Sequence, residues 1–421
     1  MAILQIGAGG VGWVIAHKCA QHNDVFGDIV IASRGQERLL RLADSIARKR
    51  SMKDPFRKLD TRLIDVHDVD ALVGLINEVR PELVINAGPP WTNVDVMEAC
   101  VRTGSHYLDT SVATDLCSPG QQVPQAYDPQ WAFHQRFLDA GITGILSVGF
   151  DPGVVSIFAA HAARKLFDRI DAIDVLDVNA GSHGRKFATN FDPETNLLEI
   201  QGNSFYWEEG RWHEVGCHQR MIEFDFPELG RMKLYSMAHD EVRSLVEYLP
   251  ARRIEFWMGF SDLYLRYFNV LRDVGMLSPK PVRVSDAVTV APLKVLKALL
   301  PDPTSLAAHY SGKTCIGTLV SGVRHGRARR VFLYNLCDHQ HAYRDVEAQA
   351  ISYTTGVPAV TAALLFFEGA WRRPGVWNPE QLDPAPFLAK MPELGLNWAE
   401  LEVPEAAMTK PLMLGDSDDG R

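Results

Sequence analysis

At 421 residues the chain is long enough for two hydrophobic cores rather than one. Apolar residues make up 46% and charged residues 23%, an ordinary balance for a globular protein. A formal net charge of −9 disfavours nucleic acid as a partner and suits a cationic substrate. The N-terminus enters a strand pattern at once, with no basic leader or cleavage site. No apolar run reaches the roughly 18 residues that span a bilayer, so a cytoplasmic protein with no membrane contact is expected. Six scattered cysteines (Cys19, Cys100, Cys117, Cys217, Cys315 and Cys337) without a CxxC pair read as reduced, mostly buried thiols, with no metal site expected.

Residues 1–150 alternate short apolar runs with segments of helical period. The strands are expected at 2–7, 28–33, 61–66, 82–88, 105–111 and 142–150. Nearly all-apolar strands separated by helices imply a parallel sheet covered on both faces, the doubly wound α/β architecture of a Rossmann domain. From 151 to 344 the segments are longer and aromatic-rich, with turns at Glu209-Gly210 and His325-Gly326. They predict an α+β domain with a largely antiparallel sheet, serving substrate binding and dimerisation. Residues 345–400 return to helical period and are expected to pack back on the first domain. Residues 404–421 end in GDSDDGR and read as a flexible tail.

Gly7-Ala8-Gly9-Gly10-Val11-Gly12 follows the first strand and opens a helix, the context that gives G-x-G-x-x-G its meaning as a dinucleotide turn. Gly7 makes the turn, Gly9 lets the pyrophosphate approach, and Gly12 lets helix and strand pack closely. The helix N-terminus then offers free N–H groups to phosphate. The second strand ends Ala32-Ser33-Arg34 where an NAD site would carry an acid. Ser33 can donate a hydrogen bond to a 2′-phosphate and Arg34 can pair with it, so the expected cofactor is NADP(H). Asn86-Ala87-Gly88 ends the fourth strand beside the same crevice. Two further strand ends point there, Asp109-Thr110-Ser111 and the GFDPG stretch with Asp151. Pro152 suits a first helical turn, so Asp151 is also a candidate N-cap.

The ordered series GAGGVG, IASR, INAGPPW (85–91), LDTSVATDLCSPGQQVPQAYD (108–128), GFDPGVVSIFAAH (149–161), VNAGSHGRKFATNFDPETN (178–196) and YSMAHDEVRS (235–244) resembles the saccharopine dehydrogenase-like family. The likeness runs from residue 1 to about 394, is closest to that family's polyamine-forming members, and stops before about 403. It implies NADPH-dependent condensation of L-aspartate 4-semialdehyde with 1,3-diaminopropane or putrescine through an imine, giving carboxynorspermidine or carboxyspermidine. It also implies a homodimer and no metal. On this reading Thr110 and Ser111 adjoin the cofactor, while Asp109, Ser111 and Asp151 adjoin the substrate.

Such chemistry needs a group to bind a carboxylate, a group to bind an ammonium, and a proton-transfer group. Arg185 and Lys186 in the 179–186 loop are candidates for the carboxylate, with His183 as acid or base. His239, Asp240 and Glu241 are candidates for holding the amine or shuttling protons; Arg252 is a further carboxylate candidate. Asp151, His183, Lys186 and His239 are the catalytic candidates. The enzymatic alternative is a saccharopine reductase joining aminoadipate semialdehyde to glutamate, which would need positive charge for a second amino acid. A non-catalytic NADP(H) sensor is the alternative of a different class.

Overall fold

The computed structural model describes residues 1–114 and 123–414. Cys117, much of the 108–128 motif and the charged end at 415–421 lie outside the described residues. The first apolar runs form β1 (Ala2–Ile6), β2 (Asp28–Ser33), β3 (Leu59–Leu63), β4 (Leu83–Asn86), β5 (His106–Asp109) and β6 (Thr143–Ile145). Numbering only helices of eight or more residues, α1 (Gly10–Gln21), α2 (Gln36–Lys49), α3 (Val69–Val79) and α4 (Asn93–Thr103) connect them. The strands lie parallel in the order β6-β5-β4-β1-β2-β3. Ile3, Leu4, Val84 and Ile85 are inaccessible because helices cover both faces.

The second region contains β7 (Arg169–Asn179), β8 (Ser204–Glu208), β9 (Arg211–Val215), β10 (Arg220–Phe226), β11 (Gly230–Met237), β12 (Arg253–Gly259), β13 (Val282–Ser285), β14 (Val288–Val290), β15 (Lys313–Arg324) and β16 (Arg327–Asp338). Its helices are α5 (Val154–His161), α6 (Pro193–Ile200), α7 (Glu241–Tyr248), α8 (Asp262–Asp273) and α9 (Pro292–Leu299). After them come α10 (His339–Val346), α11 (Ala350–Phe367), β17 (Gly375–Trp377), β18 (Ala399–Glu402) and β19 (Leu412–Met413). The large sheet runs β18-β16-β15-β7-β12-β11-β10-β19, with the β8–β9 hairpin attached to β12. Its pairings are antiparallel except β7 with β12. The two hairpins turn at the expected places, with positive φ at Glu209 (49°), Gly210 (80°), His325 (49°) and Gly326 (74°).

After the second sheet the chain returns to the first. Helix α11 packs on α1, where a Cβ at Gly356 would fall 2.7 Å from the Val14 Cβ. Strand β17 then pairs in parallel with β6 as a seventh strand, which the sequence reading did not foresee. A three-residue strand next to a tryptophan carries too little periodicity to be seen.

Four expectations need correction. Strand β3 runs from 59 to 63, because the Asp65 carboxylate accepts the His67 N–H and starts a turn. Strand β6 ends at Ile145, and Ser147 (φ 54°) and Val148 instead bond Asp109. Residues 404–414 are packed, not loose: Ala407 is buried, Met408 bridges Phe224, and β19 pairs with β10. Helix α11 is 18 residues long with mean hydropathy 1.5, long and apolar enough to cross a bilayer. It is instead a core helix, 83% buried within the protein.

Candidate active site

Buried Gln5 on β1 donates from Nε2 to the carbonyls of Gly7 (2.8 Å) and Gly12 (2.7 Å), bracing the glycine turn from below. Gly7 has φ 100°, and a Cβ there would meet the Ala87 oxygen at 2.5 Å. A Cβ on Gly12 would fall 2.3 Å from the Gly7 oxygen, so the helix can approach the strand only without a side chain. At Gly10 the absent side chain makes room for the Ser352 hydroxyl of α11. Gly9 differs from these: nothing lies within 4 Å of its Cβ position, so that face is open. No side chain caps α1 and no acid sits in its first turn, so the N–H groups around Gly10, Val11 and Gly12 have no side-chain cap.

Ser33 and Arg34 line a cleft with Gly7, His67, Gly88 and Thr92. Arg34 is exposed and makes no ion pair among the described residues. An open glycine, an uncapped helix and an unpaired guanidinium fit a dinucleotide carrying a 2′-phosphate. Buried Asn86 accepts the Gly88 N–H at 3.0 Å and donates to Asn93 at 2.9 Å. Its side chain therefore shapes the turn, leaving the Ala87-Gly88 backbone at the crevice.

Asp109 departs from its expected substrate-binding role. It is inaccessible and accepts hydrogen bonds from Tyr107 (2.7 Å), Gln130 (2.6 Å) and the Ser147 N–H. Burial pushes its carboxyl up to about 7. Two-residue strand alternation puts it on the same inward face as Tyr107, so it ties β5 to the chain after β6. The following residues do face the crevice region: the Thr110 carbonyl abuts Gly149, and the buried Ser111 hydroxyl has no hydrogen-bond partner.

Asp151 is not a helix cap. Helix α5 starts at Val154 with Gly153 before it, and φ 136° at Gly153 turns the GFDPG loop back on Gly149. Asp151 instead lies within electrostatic reach of Asp177, near the C-terminal end of β7. Around this pair stand Glu199 of α6, His239 between β11 and α7, and Glu241, the first residue of α7, with Asp240 facing those three. Asp240 caps no N–H of α7 with its side chain. Burial raises Asp151 well above the carboxylate range and Asp177 and Asp240 to about 7, helped by neighbouring carboxylates and opposed by His239.

His239 lies flat on Phe256, 3.9 Å between centroids. Its Nδ1 pairs with Glu241, and its Nε2 lies 3.2 Å from Glu199. Burial would lower its pKa, but the Glu241 and Glu199 carboxylates overcome that and hold it well above the ordinary imidazole value. His239 is thus a fixed cation rather than a free base. Five carboxyl groups face one imidazolium, and the second oxygen of fully buried Glu241 has no hydrogen-bond partner. The Tyr264 hydroxyl of α8, electrostatically coupled to Glu199, is likewise buried and unpartnered.

The fold therefore gathers Asp151, His239, Asp240 and Glu241 as one cluster and adds Asp177 and Glu199, which sequence reasoning missed. It leaves the other candidates outside. His183 packs edge-on against Tyr310, which is hydrogen-bonded to Asn179 at 2.6 Å, and burial lowers its pKa. Arg185 and Lys186 are exposed on the same loop, with no ion pair among the described residues. Arg252 is exposed and pairs with Glu209 at the β8–β9 turn. It lies at the opposite end of β12 from Met258, the residue in register with Asp177, which removes it from the cluster.

Residues 3–145 match the saccharopine dehydrogenase NADP binding domain and residues 149–396 the saccharopine dehydrogenase C-terminal domain. The chain is 64% identical over 403 residues to the carboxynorspermidine synthase of Vibrio cholerae, covering 96% of this chain and 97% of that one. It is 40% identical over 400 residues to the carboxyaminopropylagmatine dehydrogenase of Synechocystis, covering 95% and 97%. Among solved structures, apo saccharopine dehydrogenase (L-Glu forming) from Saccharomyces cerevisiae superposes with a TM-score of 0.69 at 15% identity, over 96% of this chain and 100% of that one, a likeness of fold.

Proposed function

The chain belongs to the saccharopine dehydrogenase family, and on that premise we propose that it joins L-aspartate 4-semialdehyde to 1,3-diaminopropane or putrescine through an imine that is reduced to a secondary amine. It is an oxidoreductase and uses NADP(H), held by the glycine turn, Ser33 and Arg34. When bound, NADPH supplies the hydride for the reduction.

The observation that carries this reading is the excess of carboxyl groups, Glu241 buried and Asp151, Asp177, Glu199 and Asp240 half-buried, against His239, the one cation among the described residues of the cluster. A diammonium substrate relieves that imbalance. Glutamate, with two carboxylates, would worsen it, which disfavours the saccharopine-type alternative. The curated relatives bear names of amine-derived products, in keeping with a cationic co-substrate. The exposed, unpaired Arg185 and Lys186, though outside the acid cluster, are of the charge that suits the carboxylate of the semialdehyde. Asp109 acts through the fold, by holding Ser147 and hence the turn into the GFDPG loop.

The partner of the protein is a second copy of itself. Tyr267 and Val270 on α8 and Val274 just after it are exposed at helical spacing, and Val284 and Val288 on the β13–β14 hairpin and Leu299 on α9 are exposed as well. A two-stranded hairpin with both faces exposed is marginal alone, and the stretch 262–299 carries six basic and three acidic residues on a chain of net charge −9. Val270→Glu with Val274→Glu is expected to give monomers in light scattering; an unchanged mass would exclude this face.

The decisive assay follows NADPH consumption with aspartate semialdehyde, with and without each diamine, and identifies the product by mass spectrometry. The expected result is consumption only when a diamine is present. Consumption without amine, or with glutamate and aminoadipate semialdehyde alone, would overturn the reading.

A further inference from the structure

We propose that Asp151 and Asp177 work as one proton-holding pair, taking a proton from the incoming ammonium and returning it to the hydroxyl of the carbinolamine as water leaves. The inference rests on the condensation reading above and names a catalytic residue, Asp177, that no sequence motif marked.

The geometry is that of two carboxyls from different layers meeting at one point. Asp151 comes from the loop after β6, a strand of the sheet that carries the cofactor turn. Asp177 comes from the end of β7, the strand at the middle of the other sheet. Asp177 shares a sheet face with Val175, whose register partner Thr318 donates at 2.8 Å to the Val155 carbonyl of α5, the helix that the Asp151 loop leads into. Two carboxyls brought together in a buried site and both pushed up by burial keep a proton between them. Neither carboxyl has an arginine or lysine partner among the described residues. The pair is not walled off as a structural bridge, since both residues remain partly accessible while Glu241 behind them is not. Glu241 also keeps one oxygen without a hydrogen-bond partner, a polar demand beside the pair that the fold leaves unmet.

The groups facing the pair come from several elements. They are His239 from the β11–α7 junction, Glu241 from α7 and Glu199 from α6, and Asp240 faces those same three groups. The carboxylates favour keeping the shared proton and protonated His239 favours releasing it. Burial holds Asp177 at about 7, between the ordinary carboxylate and ammonium ranges, so a proton can move in either direction.

The steps balance. The ammonium gives one proton to the singly protonated pair, becoming a neutral amine. Its lone pair forms the C–N bond at the aldehyde carbon, and the C=O π pair moves to oxygen, which takes the extra proton from nitrogen. The pair then protonates the carbinolamine hydroxyl; the C–O bond breaks, water leaves, and the nitrogen lone pair forms the C=N bond of an iminium cation. One ammonium and one aldehyde have become one iminium and one water, and the pair again holds one proton.

The test uses the full-length protein with NADPH, aspartate semialdehyde and three diamines: 1,3-diaminopropane, its 2-hydroxy analogue and its 2,2-difluoro analogue. Their amines are successively weaker bases and depend successively less on a protein base. Asp177→Asn is expected to lower kcat/KM for diaminopropane by about 10²- to 10⁴-fold. The loss should shrink along the series and ease as pH rises, with NADPH affinity unchanged as the sign of a folded protein. Asp151→Asn should give the same pattern. An equal loss for all three amines with the wild-type pH profile would reduce Asp177 to a binding charge and overturn the proposal. So would a loss confined to Asp151→Asn. Failure of the wild type to consume NADPH with aldehyde and diamine would instead sink the condensation reading itself.

Discussion

The second sheet buries charge in two places, and they are built differently. On one face of β7 and β12, Arg253 makes a two-pronged contact with Asp174 (2.6 and 2.7 Å) and reaches Glu255 at 3.1 Å. Glu255 also accepts from Arg220 (2.8 Å) and Ser236 (2.8 Å), and Trp257 donates to Asp174 at 2.9 Å. Two acids meet two guanidiniums, and the surrounding donors satisfy the remaining oxygens. Asp177, three residues further along β7, stands on the opposite face among acids with only His239 as counter-charge. A buried charge that is matched by the fold is structural. A buried charge that is not matched is held at a cost in stability and is explained by something that binds there.

This contrast is sharpest under mutation. Arg253→Met would leave Asp174 and Glu255 buried without their shared partner, and a loss of about 3–5 kcal/mol is expected in denaturant unfolding. A loss below about 1 kcal/mol would show the cluster to be dispensable and the contrast wrong. Next in size is a change on the cofactor side. Arg34→Ala removes a charge-assisted contact of about 1.5–3 kcal/mol, so the KM for NADPH should rise about ten- to a hundred-fold while that for NADH barely moves. Equal effects on both would contradict the role of Arg34 in choosing the cofactor.

Asp177→Asn should move stability in the direction opposite to Arg253→Met. The Asp177 carboxyl titrates near 7 in the folded chain against an ordinary 3.8, so the folded state holds a proton that the unfolded state has released. On its account stability falls as pH rises from about 4 to 7 and then levels off. The Asn variant lacks that loss. It should therefore melt higher than wild type at pH 8 and no higher at pH 4, which thermal unfolding at the two pH values would read. A variant less stable than wild type at pH 8 would mean that the acid cluster is internally satisfied. Smallest is Lys186→Ala: an exposed charge contributes about 0.2–1 kcal/mol, giving no more than about a five-fold rise in KM for the semialdehyde. A larger rise would move Lys186 into the site proper.

Much of this was legible in the chain. GAGGVG, the absence of an acid after β2 and the Asn86-Ala87-Gly88 strand end pointed to residues that the fold brings to one cleft, and the His239-Asp240-Glu241 run was suspected as an amine site. Strand β7 shows where legibility ends. Asp171, Asp174 and Asp177 recur every third residue in one strand. Asp171 pairs with Arg169 at the surface, Asp174 meets Arg253, and Asp177 meets Asp151. Periodicity puts them on alternate faces but says nothing of which neighbour each face meets, because the partners come from 79 residues onward and 26 residues back. Gln5 and Glu199 were missed for the same reason, and Asp109 was misread because a strand-end acid can point inward as readily as outward.

The most direct test of the unmatched charge is a calorimetric titration of 1,3-diaminopropane into the NADP⁺-loaded protein, comparing wild type with Asp240→Asn, a residue outside the proton-holding pair. Saturable binding by the wild type, weakened at least about ten-fold in the variant, is the predicted result. Equal affinity in both proteins, or no binding to the wild type, would contradict the assignment of the acid cluster to the amine.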